Sequence, residues 1–259
     1  MKIYQVDAFT DKLFAGNPAA FVPLDEWISD EQMQQLAAEN NLAETVFFVK
    51  QGKQYYIRWF TPEVEVPLCG HATVASAHVL SKHLGVTDSE IIFDSKSGLL
   101  PVSIDGDTYT LNFPSDHVEV FSSNEVLEAA LGVVPLEVHQ GIHGYWLVLL
   151  ENEEQVLALN PNFRKMQELE ADALIVTSKS IKYDFVSRFF APKKGIDEDP
   201  VTGSAHTRLI PYWAKKLGMH KLTAKQISKR GGEVTCEYLG ERVLIGGKAV
   251  TYLVGDISL

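Results

Sequence analysis

Arg58-Trp59-Phe60-Thr61-Pro62 is followed within a dozen residues by Gly70-His71-Ala72. This segment decides the fold, because the chain repeats it in altered form. The second copy reads Arg188-Phe189-Phe190-Ala191-Pro192 and leads to Gly203-Ser204-Ala205, an offset of 130 positions in a chain of 259 residues. In each copy a strand-like run ends, a loop follows, and a helix begins at a glycine. The repeat therefore predicts two pseudo-symmetric domains of one design.

The composition is that of a globular protein, with 46% hydrophobic and 22% charged residues. A net charge of −11 argues against non-specific nucleic-acid binding, which needs clustered lysine and arginine. No apolar run approaches the ~20 residues of a membrane helix, and a strand pattern starts at once without an export signal. Two cysteines make no disulfide framework. We expect a cytoplasmic protein with neither nucleic-acid nor membrane partners.

Runs of alternating, β-branched and aromatic residues dominate both halves. Strands do not alternate strictly with helices, which favours a mixed α+β fold over a doubly wound parallel sheet. Strands are predicted at 2–9, 45–50, 54–60, 90–95, 98–104, 107–113, 144–150, 173–178, 183–190, 232–239 and 242–254, and helices near 30–40, 70–84, 123–131, 162–169 and 204–217.

The segment 71–80 is apolar on nearly every face, so we expect a helix that is buried on all sides, with strands wrapped around it. The corresponding helix of the second copy contains Pro211, which should kink or break it. The turn-like Pro114-Ser115-Asp116 gives the predicted boundary between the two domains. These domains are 1–115, which the last C-terminal residues could complete, and 116–259.

Four residues are candidates for proton transfer. Glu44 lies at the entry to an apolar strand, where burial would favour its neutral form. His71 lies at the mouth of the buried helix, whose N-terminus should disfavour the charged imidazole. Asp199 and Ser204 lie at the start of the second helix. Each has an ordinary alternative, a solvated loop glutamate for Glu44 and a helix-capping residue for the others.

The two glycine-opened helices also predict a binding site for an anion. Helix N-termini offer unpaired backbone N–H groups and a partial positive charge. The repeat gives His71 and Ser204 equivalent positions, so a pseudo-twofold axis would make them face each other across a cleft between the halves. The expected partner is a small carboxylate-bearing substrate.

Several phrases, in order along the chain, resemble the phenazine biosynthesis PhzF-like family. They are Asp7-Ala8-Phe9-Thr10, Phe14-Ala15-Gly16-Asn17-Pro18-Ala19, Leu42-Ala43-Glu44-Thr45, Cys69-Gly70-His71-Ala72-Thr73 and Glu198-Asp199-Pro200-Val201-Thr202-Gly203-Ser204-Ala205. The resemblance extends to about residue 210 and is weaker beyond it.

The resemblance implies the diaminopimelate-epimerase-like fold, in which each of two α+β domains wraps a β-sheet or barrel around one central helix. It also implies an isomerase that moves a proton by general acid/base catalysis in the interdomain cleft, without metal or organic cofactor, and a homodimer. The family's best-understood member acts in this way on a dihydro-hydroxyanthranilate. The implied catalytic residues are Glu44, His71, Asp199 and Ser204, and the candidate substrate-binding residues are Asn17, Gly70, Ala72, Thr202 and Gly203.

Three other hypotheses remain. A cysteine-dependent racemase or epimerase needs a thiol on each face of a stereocentre, but only Cys69 precedes its glycine, and Cys236 lies in a distant strand pattern. A metal site is suggested by Cys69, His71, His78 and His206, yet no zinc-binding spacing occurs, so no metal is expected. A non-catalytic protein that binds small acids or another partner would keep the same fold.

Overall fold

The chain returns to its own beginning, because the long strand Arg242–Asp256 pairs antiparallel with the first strand, Lys2–Ala8. The computed structural model describes residues 1–259, apart from the side chain of His143. They pack as two units, one formed by residues 1–112 and 246–259 and the other by residues 113–245.

The described residues form seventeen strands and six α-helices. The strands are β1 (Lys2–Ala8), β2 (Asn17–Leu24), β3 (Glu44–Gln51), β4 (Gln54–Phe60), β5 (Glu65–Val66), β6 (Glu90–Ser95), β7 (Gly98–Asp105), β8 (Thr108–Pro114), β9 (Glu119–Phe121), β10 (Glu137–Gln140), β11 (Tyr145–Leu149), β12 (Ala173–Lys179), β13 (Phe185–Ala191), β14 (Ile196–Asp199), β15 (Lys221–Gln226), β16 (Gly232–Tyr238) and β17 (Arg242–Asp256). The helices are α1 (Asp30–Asn40), α2 (Gly70–His83), α3 (Glu125–Leu131), α4 (Glu153–Ala158), α5 (Phe163–Met166) and α6 (Gly203–Leu217).

The two units repeat one strand pattern. In the first, β1 is antiparallel to β2, β2 parallel to β3, β3 antiparallel to β4, β4 parallel to β6, and β6 antiparallel to β7. In the second, β10, β11, β12, β13, β15 and β16 follow the same sequence of directions. The short strands β5 and β14 fold back on β4 and β13. This confirms the α+β class and the internal repeat.

Helix α2 is the central helix of the first unit, as its composition predicts. Residues 71–80 are all buried, and the helix packs against β1, β2, β3 and β7. The hydroxyls of Thr73 and Ser76 donate to backbone carbonyls four residues earlier, at 2.6 and 2.8 Å, so the buried polar groups are paired within the helix.

Helix α6 packs against β15 and β16 and runs unbroken through Pro211, so the expectation of a broken helix is wrong. A proline removes the N–H that would bond the carbonyl four residues earlier, here that of Thr207. The backbone N–H of Asp116 donates to that carbonyl instead, at 2.9 Å. The helix continues because a neighbouring segment supplies the missing donor.

The arginine that begins each repeated phrase forms the same two-pronged ion pair in each unit. Arg58 on β4 donates through Nε and Nη2 to the carboxylate of Glu65 on β5, both at 2.8 Å. Arg188 on β13 donates likewise to Glu198 on β14, at 2.7 and 2.9 Å. Each fork ties the short returning strand to its neighbour just before the loop that leads to the glycine-opened helix.

Six strands and one helix were not predicted: β2, β5, β9, β10, β14, β15 and α4. The two longest of these strands are β2 and β15. The first begins with Asn17-Pro18, a turn-like pair. The second alternates lysine and threonine with Leu222, Ala224 and Gln226, and only these three point inward. Among the described residues, no helix has both the length and the apolar character needed to cross a lipid bilayer.

Candidate active site

A glutamate and a histidine meet inside the first unit. Glu44 is the first residue of β3, and His71 is the second residue of α2, the helix on which β3 packs. Glu44 Oε2 lies 2.9 Å from His71 Nε2, and the two side chains are 14% and 7% exposed. Oε2 is buried and forms an ion pair with the ring. The structure thus brings together two of the four predicted proton-transfer residues.

The charges of this pair differ from those that the sequence suggested. Burial raises the pKa of the Glu44 carboxyl group, but the charge of His71 and hydrogen bonding to His71 and Cys69 together outweigh burial, so the pKa of Glu44 lies below its ordinary 4.5. Burial also opposes a charged imidazole, yet Cys69 and Glu44 together raise the pKa of His71 well above 6.5. The expectations of a neutral glutamate and an uncharged histidine are therefore wrong. Each group keeps the other ionised.

Two further side chains contact the imidazole. The Asn17 amide nitrogen lies 3.2 Å from His71 Nδ1, and Asn17, at the start of β2, is fully buried. Cys69 Sγ lies 3.4 Å from the same nitrogen and 4.0 Å from Nε2. Burial, followed by the charge of Glu44, raises the pKa of the Cys69 thiol to about 11. Cys69 is therefore a thiol at neutral pH, not a thiolate.

The remaining predicted residues cluster around the start of α6, in the second unit. The Thr202 hydroxyl donates to Asp199 Oδ2 at 2.5 Å. Asp199 ends β14 and is half-buried, whereas Ser204, the second residue of α6, is exposed. Ser204 thus occupies in α6 the position that His71 occupies in α2.

Gln226 holds this loop in place and was missed by the sequence analysis. The residue is fully buried at the end of β15. Its Oε1 accepts from the Thr202 backbone N–H at 2.9 Å, and its Nε2 donates to the Asp199 carbonyl at 2.7 Å and to the Thr202 hydroxyl at 3.2 Å. The alternation Leu222, Ala224, Gln226 carried the signal, since it places the glutamine on the inner face of a strand.

The two glycine-opened helices differ from the other α-helices at their N-termini. Over the described residues, the N-cap side chains of α1, α3, α4 and α5 all accept a backbone hydrogen bond. Those of α2 and α6, Cys69 and Thr202, accept none. The first residues of these helices include Gly70, Ala72 and Gly203, all predicted to bind substrate. Their N-terminal N–H groups lack a side-chain cap, which suits an anion.

The structure also groups potential metal ligands that the spacing in the sequence did not indicate. One oxygen, sulfur or nitrogen atom from each of Glu44, Cys69 and His71 lies within 4.8 Å of the others. The other two histidines considered make different contacts. His78 bonds Tyr109 and a threonine hydroxyl, and His206 Nδ1 lies 2.8 Å from the Thr202 carbonyl.

Comparison with known proteins gives one consistent result. The model of the phenazine biosynthesis-like family PhzC-PhzF matches residues 6–255. An uncharacterized isomerase of Pseudomonas aeruginosa is 49% identical over 259 residues, 100% of this chain and 99% of its own. A PhzF family crystal structure from Enterococcus faecalis has a TM-score of 0.98 at 44% identity and covers 100% of this chain and 99% of its own. A predicted epimerase of P. aeruginosa shares the fold, with a TM-score of 0.73 at 17% identity over 99% and 98% of the two chains.

Proposed function

Since the chain belongs to the phenazine biosynthesis-like PhzC-PhzF family, we propose that it is a cofactor-independent isomerase that moves a proton on a small carboxylated substrate. Its relatives support an isomerase-type enzyme, and three of them carry that word in their names. The proton-transfer chemistry and the class of substrate are our own inference from the residues.

The observation that carries the proposal is the buried contact between Glu44 and His71. Glu44 is a carboxylate at neutral pH and is therefore able to accept a proton. In the reaction, Glu44 removes a proton from one carbon of the substrate and returns it to another. The atoms balance without oxidant or reductant, because the substrate loses one proton to Glu44 and regains one from it, and the proton held by Glu44 exchanges with solvent before it returns.

His71 has two roles in this mechanism. Its positive charge offsets that of Glu44, so an incoming substrate carboxylate meets a locally neutral pair rather than a bare anion. When Glu44 takes up the substrate proton, the imidazolium becomes the uncompensated charge and stabilises negative charge developing on the substrate. Asn17 holds the ring from its other nitrogen.

The substrate carboxylate is assigned to the uncapped start of α2. The backbone N–H groups there carry the partial positive charge of the helix and have no side-chain cap. Gly70 has no side chain to cover them. For the second unit we propose that Asp199 assists proton transfer and that Ser204 orients the substrate, as the family resemblance implies.

A cysteine-dependent racemase is a poorer account of the site. Such an enzyme needs a thiolate, but burial keeps Cys69 protonated at neutral pH, with a pKa of about 11. The other described cysteine, Cys236, is buried on β16, where it is part of the sheet.

The experiment is solvent exchange. The protein is incubated in D₂O with a panel of small cyclic and unsaturated carboxylic acids, including a dihydro-hydroxyanthranilate, and each acid is followed by NMR. We expect deuterium to enter at least one acid at carbon, with accumulation of its double-bond isomer. Saturable binding of an acid without exchange or conversion would favour the non-catalytic binding protein instead.

A further inference from the structure

An open groove lies beside the C-terminal half of α6, and all of its lining residues belong to the second unit. Its volume of about 930 Å³ is at the upper end of the range of small-molecule sites, about 300–1,000 Å³. Among the described residues that line it, none belongs to the candidate active site. The groove is therefore a separate concave surface of the size that a small ligand needs.

One wall of the groove is a face of α6. Residues four apart lie on the same face of a helix. Pro211 and Lys215 form one such pair, Tyr212 and Lys216 form the next, and all four line the groove. Trp213 points the other way and is 2% exposed. The helix thus buries its tryptophan in the core of the unit and presents a tyrosine and two lysines to the groove.

The hairpin of β9 and β10 forms another wall. Val120 lies opposite His139 in this ladder, and both line the groove. The next pair, Phe121 and Val138, packs into the hydrophobic core. Because successive side chains of a strand point to opposite faces, the hairpin covers the core with one pair and the groove with the other. Val120 is 87% exposed, so the groove has an uncovered apolar edge.

The groove also contains two pairs of flat rings. The rings of His139 and Tyr212 meet edge to face, with their centroids 5.2 Å apart. Those of His220 and Tyr238 are nearly parallel, with an angle of 8° between their planes and 6.1 Å between their centroids. His220 Nδ1 lies 3.2 Å from the Tyr238 backbone carbonyl, a contact that fixes the imidazole. Such surfaces suit a planar ring in offset-stacked or edge-to-face contact.

The charge of the groove is opposite to that of the chain. The net charge of the protein is −11, yet the described lining residues include Lys215 and Lys216 and no aspartate or glutamate. The nearby Glu137 is already engaged. Its Oε1 accepts from Lys216 Nζ at 2.6 Å, and its Oε2 accepts from the Tyr212 hydroxyl at 2.8 Å and lies 3.0 Å from His139 Nε2.

These contacts have two consequences. Burial raises the pKa of Glu137, but the hydrogen bonds from Lys216, His139 and Tyr212 outweigh it and bring this pKa to about 2. Glu137 is therefore a carboxylate that holds three lining side chains in place. Lys215 is exposed and forms no ion pair among the described residues, so its ammonium group remains available to an anion.

We propose that the groove binds a small aromatic carboxylate, with the carboxylate at Lys215 and the ring against Tyr212 and Val120. The unpaired lysine attracts an anion, and the fixed rings and the exposed valine provide contacts for a flat apolar body. A phosphate suits the groove less well, because α6 ends there at Gly218 and its last carbonyls carry partial negative charge, which repels a compact dianion. This inference does not depend on the proposed function.

The test uses 2-naphthoate as the probe, titrated into the full-length protein by isothermal calorimetry. We expect saturable binding that is at least about fivefold weaker in Lys215→Glu, because the charge reversal replaces an attraction with a repulsion. The matched control is Lys179→Glu, at an exposed lysine of the same unit outside the groove, which should bind like the wild type. The neutral 2-naphthamide and the ringless acetate should both bind at least about fivefold more weakly than 2-naphthoate.

Backbone amide chemical shifts of the isotope-labelled wild-type protein locate the bound probe. We expect 2-naphthoate to move the signals of residues 117–120 and 215–220, which belong to the groove. Absence of saturable binding, equal affinities in Lys215→Glu and Lys179→Glu, or shifts confined to the starts of α2 and α6 would overturn the site. The last result would instead place the acid at the helix starts assigned to the substrate, so it distinguishes the groove from the candidate active site.

Discussion

His71 Nε2 lies 2.9 Å from Glu44 Oε2, so the first turn of the buried helix α2 presents a cation to the carboxylate that begins β3. The geometry explains why both groups stay ionised although they are buried, since each provides the opposite charge that stabilises the ionised form of the other. It also makes them the pair on which stability and activity should depend together.

The first prediction concerns the stability of the fold. In His71→Asn, Glu44 is left buried without its counter-ion, and breaking a buried ion pair in this way costs about 3–5 kcal/mol. We expect the free energy of unfolding in urea to fall by an amount in that range near pH 6. His117→Asn, at an exposed histidine, should show no measurable change.

The pH dependence of that loss has a definite sign. The lowered pKa of Glu44 stabilises the fold above the ordinary value of 4.5, and this contribution is lost as the pH falls through the folded value. The raised pKa of His71 stabilises it below 6.5, and this contribution is lost as the pH rises through the folded value. The difference between wild type and His71→Asn should therefore be largest between pH 4.5 and 6.5. A difference that keeps growing toward alkaline pH would contradict the ion pair.

The second prediction compares the two arginine forks. Lysine cannot make a two-pronged bond, so Arg58→Lys and Arg188→Lys should each destabilise the protein, by about 1–3 kcal/mol for a charged hydrogen bond. The effect should be larger at Arg188, whose Nη1 also donates to the backbone carbonyl of Leu159 at 2.8 Å. The corresponding nitrogen of Arg58 bonds the exposed Asp30, which water can solvate.

Urea unfolding of the two variants side by side checks this order. Lys82→Ala, which removes an exposed ion pair with Asp107, is the control and should leave the unfolding midpoint unchanged. A larger effect at Arg58 than at Arg188 would mean that the buried carbonyl contacts contribute nothing.

The third prediction concerns Gln226. Gln226→Leu removes the acceptor of the buried Thr202 N–H, at a cost of about 1–3 kcal/mol for that unsatisfied group, and it also removes a donor to the Asp199 carbonyl. It should also lower the rate of solvent exchange, because the loop that carries Asp199 loses its support. Gln34→Leu removes a single amide contact to the Thr61 carbonyl and should leave exchange unaffected. Equal exchange rates in the two variants would remove Gln226 from the positioning of Asp199.

Much of the fold could be predicted because the repeat and the hydrophobic periodicity can be recognised in short stretches of the sequence. The α+β class, the buried helix over residues 71–80 and the family are confirmed. Pro211 shows where local rules fail. The residue that makes it tolerable is Asp116, which lies 95 positions earlier in the chain and bonds the carbonyl that the proline leaves free.

The site shows the same limit. The candidates Glu44 and His71 could be named from their positions, but their charges could not, because a pKa depends on contacts across the fold. Burial alone suggested a neutral glutamate, and only the 2.9 Å contact reverses that expectation. Gln226 could have been flagged by its alternation with Leu222 and Ala224, whereas its bonds to Thr202 depend on how β15 lies beside the start of α6.

The most direct test of the central claim is the rate of solvent deuterium incorporation by Glu44→Gln, measured with an acid that the wild-type protein exchanges. Glutamine keeps the shape of the side chain but cannot accept the proton, so incorporation should fall to the background rate while circular dichroism shows an intact fold. The matched control, Glu39→Gln on the exposed face of α1, should exchange at the wild-type rate. Wild-type exchange by Glu44→Gln would contradict the assignment of Glu44 as the residue that moves the proton.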